Sequence, residues 1–177
     1  MTRFRAWAAA LSLLLLAPAR AALPELPTVA SIDLPRFMGA WYVIANIPTF
    51  IEKGAHNAVE RYALEADGTI ATTFSFRAGA FDGALKTVHP RGFVLDRKSN
   101  ALWGMQFVWP IKADYRIAYV DPAYQQTIVA RQKRDNVWIM ARTPTIPDAD
   151  YQRLLATVAA LGYNTALVQK VPQKWPE

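Results

Sequence analysis

Between Trp41 and Arg142 the chain alternates short β-type runs with turn signals, and this rhythm limits what it can fold into more than any bulk property does. The runs are Trp41–Ala45, Ala58–Leu64, Thr69–Phe76, Leu85–Leu95, Leu102–Trp109, Tyr115–Val120, Thr127–Ala130 and Val137–Arg142. Between them stand Asp67-Gly68, Asp82-Gly83, Arg97-Lys98-Ser99-Asn100, Pro110, Asp121-Pro122 and Lys133-Arg134-Asp135-Asn136, with Pro144 after the last. Such clusters end strands, and Asp-Gly pairs are expected to supply the positive φ of tight hairpins. Eight strands with short links fit an up-and-down antiparallel sheet, and closing that sheet removes its exposed edges.

After Pro147 the period changes. Tyr151, Leu154, Leu155, Val158 and Leu161 recur at helical spacing, and Gly162 follows as a stop. The helix from about Asp148 to Leu161 has one apolar stripe to bury, most simply against the outside of the sheet. Leu167–Val171 reads as a short last strand. The predicted fold is all-β: an eight-stranded up-and-down antiparallel barrel with one C-terminal α-helix packed outside.

The N-terminal segment follows the grammar of a secretory signal peptide: basic Arg3 and Arg5, an apolar run from Ala8 to Ala17, then Ala19-Arg20-Ala21. The run is shorter than the roughly 20 apolar residues of a membrane span. Residues 1–21 are thus expected to be a leader, 22–35 a Pro-rich N-terminal arm, and 36–177 one barrel domain. The leader carries three arginines and no acid, so its removal lowers the formal net charge from +6 to +3. No basic run exceeds Lys133-Arg134, which argues against a nucleic-acid partner. The chain has no cysteine, so it lacks the residue on which a lipid-anchored leader depends. The expected location is the periplasm or the medium, as a soluble protein; outer-membrane association is the weaker alternative.

Side chains of a strand alternate between faces. One face carries Ala58, Glu60, Tyr62 and Leu64, then Thr72, Phe74 and Phe76. It continues with Trp103, Met105, Phe107 and Trp109, and with Tyr115, Ile117 and Tyr119. A barrel of eight strands is either packed solid or holds one small ligand, and aromatic stripes alone do not choose between them. On this register Glu60 points inward, where a lone carboxylate costs several kcal/mol or neutralises by a raised pKa. In the opposite register it faces solvent. His56 and His89 stand alone, without metal-ligand spacing. No metal and no cofactor is expected.

Gly39-Ala40-Trp41-Tyr42 at the first strand and Arg142 at the end of the eighth resemble the lipocalin pattern, a G-x-W near the start and an Arg near the end. The similarity is greatest to the bacterial branch that also resembles apolipoprotein D. It runs through Phe50–Gly54, Asn57–Gly68, Trp109-Pro110, Asp114-Tyr115, Asp121–Tyr124 and Trp138–Thr145. The resemblance implies that Trp41 plugs the closed end of the barrel, with the Arg142 guanidinium over its ring. Gly39, Trp41 and Arg142 are accordingly the expected structural motif. It also implies binding, storage or transport of lipids such as fatty acids or lysophospholipids, for envelope maintenance under stress, with transient contact at a membrane surface. The chain departs from the pattern in lacking an anchoring Cys, in Ala55 where relatives often carry Cys, and in Glu60 where a small residue is usual.

The residues expected to line a ligand pocket are Glu60, Tyr62, Phe74, Trp103, Met105, Tyr115, Ile117, Tyr119 and Trp138. Two other function classes stay open beside the carrier. One is a lipocalin-like isomerase using Glu60 with Tyr62 or Tyr115 as an acid–base pair. The other is a filled barrel that binds proteins. The chain is read as a binding protein and not as an enzyme: no nucleophile elbow or paired carboxylates stand out, and the Cys used by some lipocalin isomerases is missing.

Overall fold

The computed structural model describes residues 23–175, so the expected leader lies outside the described residues. The elements run in chain order: α1 Leu34–Phe37, β1 Gly39–Ile47, β2 Ala55–Leu64, β3 Thr69–Ala78, β4 Leu85–Val88, β5 Arg91–Val94, β6 Leu102–Val108 and β7 Ile111–Val120. Then come β8 Gln126–Ala130, β9 Val137–Ala141, α2 Asp148–Ala160, a 3-10 turn Thr165–Leu167 and β10 Gln169–Lys170. Strands pair antiparallel in sequence order, and β1 pairs β9 (Tyr42 with Ala141, Ile47 with Val137), which closes the barrel. The two-residue β10 adds to β1 at Ala45 and Asn46.

The expected single run Leu85–Leu95 is two strands. Pro90 has no N–H for a ladder, and the chain breaks at His89-Pro90. β3 pairs β5 through Thr69–Ala71 and β4 through Phe74–Arg77, so β4 and β5 together occupy one place in the wall. Among the described residues β6 pairs with β5 and β7, and β4 pairs with β3 alone. Of the two Asp-Gly turns, one meets the expectation and one does not. Gly68 has a φ of +80°, but Gly83 is required for another reason: a Cβ there would lie 2.0 Å from the Ala78 carbonyl oxygen.

Two apolar cores result. The inner one fills the lower barrel, around Phe37, Trp41, Tyr62, Trp103 and Ile117. The outer one lies between the sheet and α2, where Leu154 and Val158 meet Ile128, Val137 and Ile139. β8 and β9 are buried on both faces, which accounts for their nearly unbroken apolar sequence. The arm is held rather than loose. Leu26 is fully buried, and the Val29 and Ile32 amides donate to the carbonyls of Ile117 (3.0 Å) and Ser99 (2.8 Å).

Candidate functional site

The closed end is built first, because it fixes the depth of the interior. Trp41 is fully buried and donates from its indole nitrogen to the Phe37 carbonyl at 2.8 Å. The Arg142 guanidinium lies 3.7 Å from the Trp41 ring centroid and donates to the carbonyls of Arg36 (2.7 Å), Ala40 (2.8 Å) and Tyr124 (3.2 Å). It therefore ties α1, β1 and the β7–β8 turn to the end of β9, and stacks on an aromatic face as a guanidinium does well. Gly39 begins β1 beside it.

Above this plug the aromatic rings form a continuous stack. Phe37 meets Trp41, Tyr62 and Trp103; Trp103 meets Tyr115 at 6.0 Å; Tyr115 meets Trp138 at 5.7 Å. The lower half of the barrel is thus filled. The free space lies higher, in two adjoining parts that share Thr49, Met105, Phe107, Ala113 and Arg131. A chamber of about 50 Å³ lies deep, walled by Glu52, Glu60, Phe74, Tyr115 and Trp138. A cup of about 810 Å³ opens above it, between the loops at Pro48–Ile51, Thr87–Pro90 and Phe107–Ile111.

Glu60 faces inward. It pairs across the sheet with Trp41 and Phe74 and is 6 % exposed. Its Oε2 accepts from the Tyr115 hydroxyl at 3.3 Å, and Tyr115 is in turn hydrogen-bonded to the Tyr62 hydroxyl. Burial, reinforced by the nearby Glu52, pushes the Glu60 carboxyl up to about 8, while the two phenols pull the other way. At neutral pH it is protonated. Burial also drives Tyr62 and Tyr115 well above the usual phenol range.

Glu52 is the residue that sequence reasoning missed. It sits in the β1–β2 loop, folded back into the barrel and 7 % exposed. Burial raises its pKa, and donors oppose this: the Thr49 amide (3.1 Å), Asn46 Nδ2 (3.2 Å) and Trp138 Nε1 (3.1 Å). A loop carboxylate has no periodicity to betray which way it points. The one signal was its place in Phe50–Gly54, a segment noted for resemblance and not for chemistry.

The predicted lining set divides. Glu60, Phe74, Met105, Tyr115 and Trp138 border the free space. Tyr62, Trp103 and Ile117 lie below it in the inner core and border neither part of the cavity. Tyr119 is on the wrong face. A register shift between Ile117 and Tyr119 turns it outward, where it joins the outer core and its hydroxyl accepts from Arg153 at 2.9 Å. Trp109 and Leu64, expected inside, are 82 % and 42 % exposed, because both lie at strand ends beyond the barrel wall. Arg131, at the end of β8, borders both parts of the cavity. It is turned toward Asn136 (2.8 Å) and Asp135 (3.4 Å).

The described residues contain no group of three or more His, Cys, Asp or Glu side chains placed to hold a metal, and no helix long and apolar enough to cross a membrane. The molecule is similar in fold to insecticyanin from the tobacco hornworm Manduca sexta, with a TM-score of 0.67 at 15 % identity over 87 % of this chain and 86 % of that one. In sequence it is 28 % identical to temperature-induced lipocalin-1 of Arabidopsis thaliana, over 84 % of this chain and 83 % of the relative. It is 30 % identical to the outer membrane lipoprotein Blc of Citrobacter freundii, over 77 % and 76 %. It is 26 % identical to bovine apolipoprotein D, over 70 % and 68 %. Residues 32–173 match the lipocalin-like domain family. The closed barrel, the Trp41–Arg142 plug and this match agree, and the chain belongs to the lipocalins, a family that binds small hydrophobic molecules.

Proposed function

We propose that this protein binds, stores or carries single-chain lipids, fatty acids or lysophospholipids, in a bacterial envelope, in the service of membrane maintenance under stress. The observation that carries this reading is the open cup of about 810 Å³, whose wall is mostly apolar (Ile51, Val88, Met105, Phe107, Val108 and Ile111). Burying a methylene contributes about 0.8 kcal/mol, so a 14-carbon chain yields on the order of 10 kcal/mol gross. Against this stand roughly 4–15 kcal/mol for association and ordering. A preformed cup keeps that opposing sum low and supports micromolar binding.

The mouth fits exchange with a bilayer. Phe50, Val108, Trp109 and Ile111 are 86, 68, 82 and 71 % exposed, with the exposed Lys53 and Lys133 in neighbouring loops. Aromatic and basic side chains together suit a headgroup layer. Export by the 1–21 leader, a mature chain free in the periplasm or medium, and a binding rather than catalytic role complete the reading.

Intrinsic tryptophan fluorescence reports the cup, because Trp138 borders the chamber. Titration of residues 22–177 with a lysophospholipid is expected to give a saturable change with a micromolar Kd. A flat titration with every single-chain lipid overturns the carrier and leaves the filled-barrel alternative. Mass spectrometry of lipids that copurify from the native host identifies the cargo.

A further inference from the structure

We propose that the deep chamber receives a small cationic amine, carried at the leading end of an otherwise apolar ligand, with Glu60 and Glu52 as its counter-charges and Phe74, Tyr115 and Trp138 as its walls. This rests on the reading of the cup as a carrier of single-chain lipids and commits it to one head-group chemistry and one orientation, polar end inward.

The chamber wall is largely aromatic and apolar, but it carries two acids that an alkyl terminus would leave without a counter-charge. Two carboxyl groups, each more than nine-tenths buried, border the same 50 Å³. Among the described residues neither has a Lys, Arg or His in ion-pair range. The other charged groups on the chamber wall are already matched: Asp114 by Arg116 at 3.0 Å, and Arg131 by Asp135 at 3.4 Å. Both carboxyls have hydrogen-bond donors but no counter-charge, and ionising them without one carries a cost that a ligand cation would remove. The remaining titratable groups facing Glu60 are the phenols Tyr62 and Tyr115, which stay neutral.

Size and surface select the cation further. A cavity needs roughly 10–15 Å³ of free space to hold one water, so the chamber admits a group of a few heavy atoms. A primary ammonium fits that limit, while a phosphate would add negative charge beside Glu52 and Glu60. The faces of aromatic rings attract ammonium groups, and tryptophan does so best. The apolar body of the ligand then occupies the cup, where Met105, Phe107 and Ile111 line the wall.

The proton account is simple. The ammonium keeps its three protons, Glu60 gives its carboxyl proton to solvent, and the site becomes an ion pair. Glu60 titrates at about 8, so this release ties affinity to pH. Amine binding should strengthen up to about tenfold per pH unit between pH 6 and 8.

The test compares decylamine, decanol and decanoate as probes, by tryptophan fluorescence and by calorimetry in two buffers of different ionisation enthalpy. Decylamine should bind at least about tenfold tighter than the other two, strengthen from pH 6 to 8, and release close to one proton. Glu60→Gln should abolish the preference of amine over alcohol, and Glu65→Gln, on an exposed turn, should keep it. If Glu60→Gln does not fold, the wild-type pH dependence and proton release decide alone. Equal or tighter binding of decanol or decanoate overturns the amine assignment and leaves the carrier reading standing. So does a preference that survives Glu60→Gln, or binding without proton release. Failure of all three probes to bind overturns both.

Discussion

Glu60 shows how one residue sets a condition on the whole barrel. Its ordinary pKa of 4.5 applies in the unfolded chain, and the folded value is about 8. Below pH 4.5 the carboxyl is neutral in both states and the group makes no pH-dependent demand. As pH rises toward 8 the unfolded chain ionises while the folded one does not, so stability falls through that window. At pH 7 the loss is on the order of 3 kcal/mol. Glu60→Gln is therefore expected to raise the Tm at pH 8 far more than at pH 5, read by thermal denaturation at both values. An equal gain at both means that the carboxyl is not neutral when buried. The inward side of Glu60 was half legible in the sequence: alternation fixed it to the face of Tyr62 and opposite Arg61, and left open which of the two faces turned inward. Its partner Glu52 was not legible, because a loop that folds back into the barrel has no alternation to read.

At the scale of elements, the strands were legible wherever turn chemistry was local, and misread wherever a neighbour decided. Pro90 splits the fourth run by removing a donor, a local signal that the apolar residues on either side masked. Tyr119 was assigned inward from a strict period of two, but the shift that turns it outward is set by its pairing with Ile128 on β8. No window around Tyr119 contains that information. Helix α2 was legible from its stripe. Asp148 and Asp150 lie in its first turn, where they complement the helix dipole, and Tyr151, Leu154 and Val158 are buried. The packing of α2 is separable from the ligand site. Leu154→Ala is expected to cost about 3 kcal/mol in denaturant unfolding. Lipid affinity should stay within about twofold, because Leu154 packs in the outer core and not against the cup. A large change in affinity would join the two cores energetically.

The whole molecule divides along the barrel axis into a filled, plugged half and an open half. The plug and stack give rigidity, and the loops of the open end carry the exposed apolar rim. If that rim meets bilayers, Phe50→Ser combined with Trp109→Ser should reduce cosedimentation with anionic vesicles several-fold. The Tm should move little, because both side chains are mostly in solvent. Unchanged cosedimentation would assign the rim another role. The missing pairing between β4 and β6 bears on size selection. The plug sets a hard floor and the chamber a hard limit on what reaches it, while at the mouth, beside His89-Pro90, β4 pairs with β3 alone among the described residues. The cup is open above the chamber, so a long molecule need not fit wholly within the barrel. The interior therefore measures the width and chemistry of the end that enters first, and leaves the length of the rest unmeasured.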